Sequence, residues 1–391
     1  MGNYKGCDLS VMRGGELSGL SFIELPLMPL PAQSIFANIK ANHVCRAILM
    51  LCCIVWCMPT CISQAKKKAD ILYYNHFPDS ASIRLEPWFK QENARFNRLH
   101  TISKKLFATD LSSQRSRLIY CFDTETVNLL ETYFHRTHKQ FGGITPLSSG
   151  ILQDSIIWFY DLTLSRMVSI NINAKDSSQL PKQCKLNSQY RSIAMMNDSL
   201  ALVTGNLRST GNELLSVINV FNGEIQYDLE LYPGKAEDVT ERQRRLDQQA
   251  IIYYNDKKSM AVMAKNLQDE FYIIHPANRK LIKVRGPEHP GNKSKRDQDA
   301  DMNHVERRYY TMSFISEKFI YLLLITKPQA GENIDQGNAV LVFDWAGKPV
   351  KRFELSTLVK SIAVLEDTNE IIGFNSVDGM FYKGSLDGSF N

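Results

Sequence analysis

The body of this chain is poor in cysteine. Of eight cysteines, six stand at or before position 61: Cys7, Cys45, Cys52, Cys53, Cys57 and Cys61. Only Cys121 and Cys184 follow, and no Cys-x-x-Cys pair occurs among them, which excludes a zinc ribbon and a thioredoxin-like redox motif. Nucleophile elbows of the Gly-x-Ser-x-Gly type are absent, as is the His-Glu-x-x-His zinc motif. The turn-rich "FGGITPLSSG" (141–150) lacks the Lys-Ser/Thr of a phosphate loop and reads as a link between repeats. Charge of one sign is also scarce: 46 Lys and Arg against 41 Asp and Glu give a net charge of +5. A nucleic-acid binder would concentrate its basic residues on one face. The basic clusters here, Arg242, Arg244 and Arg245, and Lys293, Lys295 and Arg296, sit among acids in polar stretches and read as solvated loops.

What is present is a repeated strand, turn, strand pattern. In "VFDWAGKPVKRFEL" (342–355), Leu341, Phe343 and Trp345 share one side of a pleated strand, and Val340, Val342 and Asp344 share the other. Gly347 tolerates φ > 0 in the turn, and Pro349, with no N–H to donate, suits the first position of the returning strand. The same pattern recurs at 118–134, turning after Asp123, and at 155–172, turning after Asp161. It recurs again at 215–231, turning at Asn222-Gly223, and at 270–284, turning through Pro276 to Asn278. Further apolar pairs precede the last three hairpins, and 361–386 supplies three more strands.

Two pairs make a four-stranded antiparallel sheet, and six such sheets make a ring. The sequence therefore predicts an all-β protein, a six-bladed β-propeller of four-stranded antiparallel blades preceded by an N-terminal leader. "ADILYYN" (69–75) is the expected source of the strand missing from the last blade, closing the ring and removing its free edges. From 66 to 391 each repeat averages about 54 residues, more than the about 40–45 of compact repeats. Loops at 234–249, 286–308 and 328–338 account for the excess, and 77–100 is mixed enough to include one helix. Cys121, in the apolar "LIYCF", is expected to be a buried free thiol.

The leader spans 1–65. Lys40 and Arg46 precede an uncharged apolar run, 47–58, which suits a signal peptide and is short of the about 20 residues that span a membrane. About forty residues stand before this run, so translation is expected to start downstream, for example at Met28, with 1–27 a mis-assigned start. Cleavage has two candidate positions. Cys61, in "MPTC", occupies the place of a lipidated cysteine, although Pro59 and Thr60 depart from the usual lipobox; Ala65 ends an alternative site for ordinary signal peptidase. A leader retained as an anchor is the third reading.

Residues of the later half, "DSIIWFYDLTLSRMVSINI", "VRGPEHP" and "VFDWAGKPVKRFELSTLVKSIAVLEDTNEIIGF", resemble a family of bacterial lipoproteins with a TolB-like six-bladed propeller. Phe343, Asp344, Trp345, Gly347, Pro349 and Leu355 match the pattern that ends the family's last full blade, and Ala346 departs from it. The resemblance covers 69–386. Its motifs are strand edges and turns, so it implies the fold and an exported protein of a kind often anchored by an N-terminal lipid, and it carries no catalytic residue across.

Two constellations bear on metal binding. His135 and His138, in "HRTH", follow a strand and would point to opposite faces, so they read as structural or exposed. Asp297, Asp299, Asp301 and Asn303 alternate as in a calcium loop, but Met302 and Arg308 stand where the EF-hand needs Gly and Glu. The expected function is a non-catalytic ligand- or protein-binding module in the bacterial envelope, in the periplasm or at the outer membrane. Its partner would be an envelope protein, peptide or glycan, with membrane contact through a lipid at Cys61; neither nucleic acid nor a cofactor is expected. The alternative is a metal-dependent hydrolase or lactonase with its site in the propeller channel.

Overall fold

Turn chemistry sets the repeat. An Asp or Asn at the end of a strand accepts hydrogen bonds from backbone N–H groups two or three residues ahead, which holds the chain in its reversal. Asp123 accepts from Glu125 and Thr126 at 2.9 and 2.7 Å, Asp344 from Ala346 at 2.9 Å, and Asn375 from Val377 at 2.8 Å. In the 342–355 hairpin, Gly347 has φ +84° and Pro349 opens the returning strand, as the sequence predicts.

A computed structural model describes residues 70–139, 141–173, 181–205, 215–229, 249–288, 309–326 and 335–386. The leader, Cys61, the loop holding Asp297 to Asn303, and most of the three expected insertions lie outside these residues. Three strands come first: β1 (Asp70–Tyr73), β2 (Ser80–Ile83) and β3 (Glu86–Lys90). Blade 1 follows as β4 (Phe96–Ile102), β5 (Lys105–Asp110), β6 (Arg117–Asp123) and β7 (Leu129–His135). Blade 2 is β8 (Pro146–Leu152), β9 (Ile156–Asp161), β10 (Arg166–Asn171) and β11 (Lys182–Lys185). Blade 3 is β12 (Ser192–Met195), β13 (Leu200–Thr204), β14 (Leu215–Asn219) and β15 (Ile225–Asp228). Blade 4 has β16 (Ala250–Asn255), β17 (Met260–Lys265), β18 (Glu270–His275) and β19 (Lys280–Arg285). Blade 5 has β20 (Phe314–Ile315), β21 (Phe319–Leu324), β22 (Gly337–Asp344) and β23 (Pro349–Val359). Blade 6 has β24 (Ser361–Leu365), β25 (Glu370–Asn375) and β26 (Met380–Ser385). The six-bladed propeller is thus as expected, with one helical element among the described residues, the 3-10 turn Pro276–Asn278. None of the described helices is long and apolar enough to cross a membrane.

Ring closure differs from the expectation. The fourth strand of blade 6 is β3, antiparallel to β26, and 69–75 does not supply it. β1 instead lies parallel to β19 on blade 4, and β2 parallel to β23 on blade 5. The N-terminal segment is a strap laid over the outer edges of three successive blades. Its strand character also replaces the helix expected within 77–100. A smaller correction concerns blade 2. The 155–172 hairpin forms its middle pair, and half of the expected link at 141–150 is strand β8.

Strand alternation divides each blade between two cores. Leu341, Phe343 and Trp345 pack with blade 4, whereas Val340 and Val342 pack with blade 6. Clusters of this kind fill the blade 1–2, 2–3, 3–4, 4–5, 5–6 and 6–1 interfaces. Cys121 is a buried free thiol in the first of them, with burial raising its pKa to about 11.

The innermost strand of a blade has one edge with no neighbour in its own sheet, so its N–H groups need partners elsewhere. Side chains of the preceding blade provide them. Ile193 donates to Ser148 Oγ at 3.1 Å, Ile252 to Ser192 Oγ at 3.0 Å, and Ser313 to Tyr253 Oη at 2.8 Å. These bonds run around the channel from blade 2 to blade 5 and hold the inner strands at a defined depth.

Candidate binding site at the channel mouth

The inner strands β4, β8, β12, β16, β20 and β24 all contribute to one cavity of about 660 Å³. Its floor is Arg98 and His100 of β4, and its walls include Ser149, Ala194, Ile252, Tyr253, Ser313 and Val364. The rim is built by the turns after the inner strands, which carry Lys104, Asp154, Asp256, Glu317, Glu366 and Asp367.

Arg98 is only 4% exposed. The pairing of β4 with β5 slips between Phe96 and Arg98, an irregularity of the kind that re-aims side chains. From there the guanidinium reaches across three blades. Nη1 donates to the carbonyls of Ser149 and Ile252 at 3.5 and 3.4 Å, and Nη2 to Ser192 Oγ at 3.4 Å. All three bonds are long. Nε has no partner, and the guanidinium carbon lies 5.2 Å from the Tyr253 ring centroid. Burial lowers the pKa of Arg98, with the Tyr253 hydroxyl acting in the opposite direction.

His100 stands two residues on, on the same side of the strand. Its ring is partly exposed toward the cavity, but Nε2 is buried and has no partner. Desolvation first, and the Arg98 charge second, push its pKa from 6.5 down to about 3, so the ring is neutral at ordinary pH. In the unfolded chain it titrates near 6.5. Unfolding therefore takes up a proton between these limits, and the associated stability, present above pH 6.5, is lost as pH falls toward 3 at up to about 1.4 kcal/mol per pH unit. A His100→Asn variant is expected to lack this component. In denaturant unfolding at pH 4 to 7, the stability difference between wild type and variant should shift against wild type by about 1 kcal/mol per unit on acidification. Parallel pH profiles would mean that His100 titrates normally.

The rim is acidic on balance. Glu125, Asp154, Asp256, Glu317, Glu366, Asp367 and Glu370 line the cavity against Lys104, Lys257 and Lys383. Lys257 lies 3.4 Å from Asp154 and 3.8 Å from Glu317, while Lys104 meets Glu125 at 2.8 Å and Lys383 meets Glu370 at 2.9 Å. The Lys257 and Lys104 pairs are exposed and add little stability, so the rim mainly contributes an electrostatic field.

Other buried acids are already engaged. Asp161 accepts from the backbone of Ile144, Thr145 and Leu164, and Asp269 Oδ1 accepts from Tyr74 and Tyr310 at 2.9 and 2.6 Å. These carboxylates hold turns and the strap. His135 and His138 are both exposed on the outside of blade 1, and the Nε2 of His135 is engaged by the Arg117 guanidinium. Among the described residues no three His, Cys, Asp or Glu side chains are placed to hold a metal ion together. Arg98 and His100 escaped the sequence reading because 77–100 was read as mixed. The usable signal was two basic residues at alternate positions in "FNRLHTI", between the apolar Phe96, Leu99 and Ile102.

A family model, described as TolB-like 6-blade propeller-like, matches residues 98–367. No curated protein matches the chain. Among solved structures, a Bacteroides fragilis protein described as exported is similar over 80% of this chain and 98% of its own, at 11% identity and a TM-score of 0.50. A member of the DUF4221 family from Bacteroides vulgatus covers 78% of this chain and 98% of its own, at 13% identity and a TM-score of 0.49.

Proposed function

Because the chain belongs to the TolB-like six-bladed propeller family, we propose that it is an exported, non-catalytic binding module of the bacterial envelope whose ligand occupies the channel mouth. The observation that carries this reading is the cavity of about 660 Å³ to which all six inner strands contribute. A concave site formed where repeated units converge is where a propeller scaffold can present different side chains to one ligand. Residues 47–58 and the exported description of the Bacteroides fragilis propeller support the extracytoplasmic location. Cys61 is the position proposed for lipid attachment. The hydrolase alternative finds no three-donor metal set among the described residues.

The test uses the intact protein. A thermal-shift screen of peptides, glycans and small metabolites is expected to return a ligand whose effect is altered, in either direction, in the Asp154→Arg, Glu317→Arg double variant. Both of these side chains are largely exposed, so the double variant should fold. Robust turnover of a small substrate by the wild type, abolished in the same variant, would overturn the non-catalytic reading. Intact-mass analysis of protein from the membrane fraction checks the anchor: a diacylated start at Cys61 is expected, and a free start near Lys66 would remove it.

A further inference from the structure

The floor of the mouth holds a charge with no counter-charge. A buried ion is costly unless an opposite charge and good hydrogen bonds surround it. Elsewhere buried Lys265 lies 3.1 Å from Glu270 and buried Lys351 lies 2.8 Å from Asp79, while buried Arg166 is held by the backbone carbonyls of Lys139 and Gly142. Arg98 has no carboxylate partner among the described residues, one orphaned donor, and only long bonds for the others. It nevertheless lines a cavity open to the outside.

We infer that the floor of the mouth is a carboxylate subsite, in which a small organic monocarboxylate enters head first and its two oxygens accept hydrogen bonds from the Arg98 guanidinium. The inference rests on the reading of the mouth as a ligand site. A guanidinium presents parallel N–H groups that match a carboxylate in two-point contact. The Nε2 atom of His100, on the same side of β4 and likewise without a partner, is a second polar contact at the floor. The neutral Tyr253 ring and the methyl and methylene groups of Ala194, Ile252 and Val364 suit an apolar stem behind the head group. The acidic rim selects among anions. Seven carboxylates around the approach disfavour a dianion more than a monoanion, because repulsion scales with ligand charge. Inorganic phosphate is therefore expected to bind more weakly than a carboxylate.

Calorimetry on the full chain in low-salt buffer tests this with butyrate, the uncharged butyramide, phosphate and chloride. Butyrate is expected to bind, and butyramide to bind at least tenfold more weakly. Arg98→Gln should abolish butyrate binding, and Arg98→Lys, which keeps the charge but loses the fork, should weaken it about tenfold. Should either Arg98 variant fail to fold, Glu317→Arg at the exposed rim locates the site instead. It should tighten butyrate binding at least twofold by removing a repulsive charge, whereas unchanged affinity would place butyrate elsewhere. Equal binding of butyrate and butyramide, or of butyrate and chloride or phosphate, would overturn the inference. A screened ligand altered in the Asp154→Arg, Glu317→Arg variant, together with no butyrate binding, would sink the carboxylate subsite and leave the binding reading standing.

Discussion

Deleting residues 70–90 from the full chain is expected to abolish cooperative folding. The strap contributes to the cores of the blades it crosses. Tyr74 packs with Phe343 at 5.1 Å between centroids in the blade 4–5 core, and Ile83 and Leu85 are buried in the blade 5–6 core. Phe89 stacks on Phe381 at 4.4 Å beside the blade 6–1 aromatic cluster. Removing one buried Ile or Leu down to alanine costs about 2–5 kcal/mol. The deletion removes two such residues, an aromatic stack and the outer strand of blade 6. That loss approaches the whole stability of a typical domain, about 5–15 kcal/mol. It also exposes the edge of β26, an aggregation hazard. The expected result in thermal melting and size exclusion is a broad or absent transition with soluble aggregate. A sharp transition within a few degrees of wild type would show that the ring closes without the strap. The milder Ile83→Ala, Leu85→Ala pair should lower the melting temperature by roughly 10 °C or more, on about 2–4 °C per kcal/mol for a chain of this order.

The second large effect is expected at Glu270, which opens β18 with 1% of its surface exposed. Its carboxylate receives Arg285 Nε at 2.7 Å and Tyr272 Oη at 2.6 Å, with Lys265 Nζ at 3.1 Å and Lys283 Nζ at 3.9 Å. Glu270 and Arg285 face each other across β18 and β19, so the sheet register brings them together. Breaking a buried ion pair from one side leaves the partner charges in a poor solvent and costs about 3–5 kcal/mol. Glu270→Ala is expected to lose that amount in denaturant unfolding. Glu270→Gln should recover part of it, because an amide oxygen still accepts from Tyr272. A loss below about 1 kcal/mol would mean that water reaches the cluster and the charges are screened. Replacing charges on the exposed rim, such as Lys104, should change stability by less than about 0.5 kcal/mol, which separates burial from charge as the cause.

Much of the architecture was legible because it is encoded over a few residues. Asp123, Asp161 and Asp344 each close a turn with their own side chains, and Gly347 and Pro349 act within the same hairpin. Apolar runs such as "LIYCF" and "FIYLLL" follow from strands buried on both faces between neighbouring blades. The strap was misread because nothing local distinguishes its strands. "DILY" and "EPWFK" are both short, half-exposed segments, and Pro87 reads as a breaker. On the outermost edge of a blade a missing N–H costs nothing, so Pro87 is tolerated in β3. The short polar "KQCK" of β11 was missed for a similar reason: it gains its strand character from pairing with β10.

The sequence by itself determined the class of fold, the hairpins, the turn positions and the alternation of core residues, since period-two patterning and turn chemistry are properties of neighbouring residues. Which strand lies innermost, where the N-terminal segment docks, and that Arg98 meets Ser149, Ser192 and Ile252 were decided only by the tertiary structure. Those contacts join positions up to 154 residues apart and exist only once the ring has closed. Long-range pairing depends on register and loop closure across the whole molecule, and no local pattern specifies it.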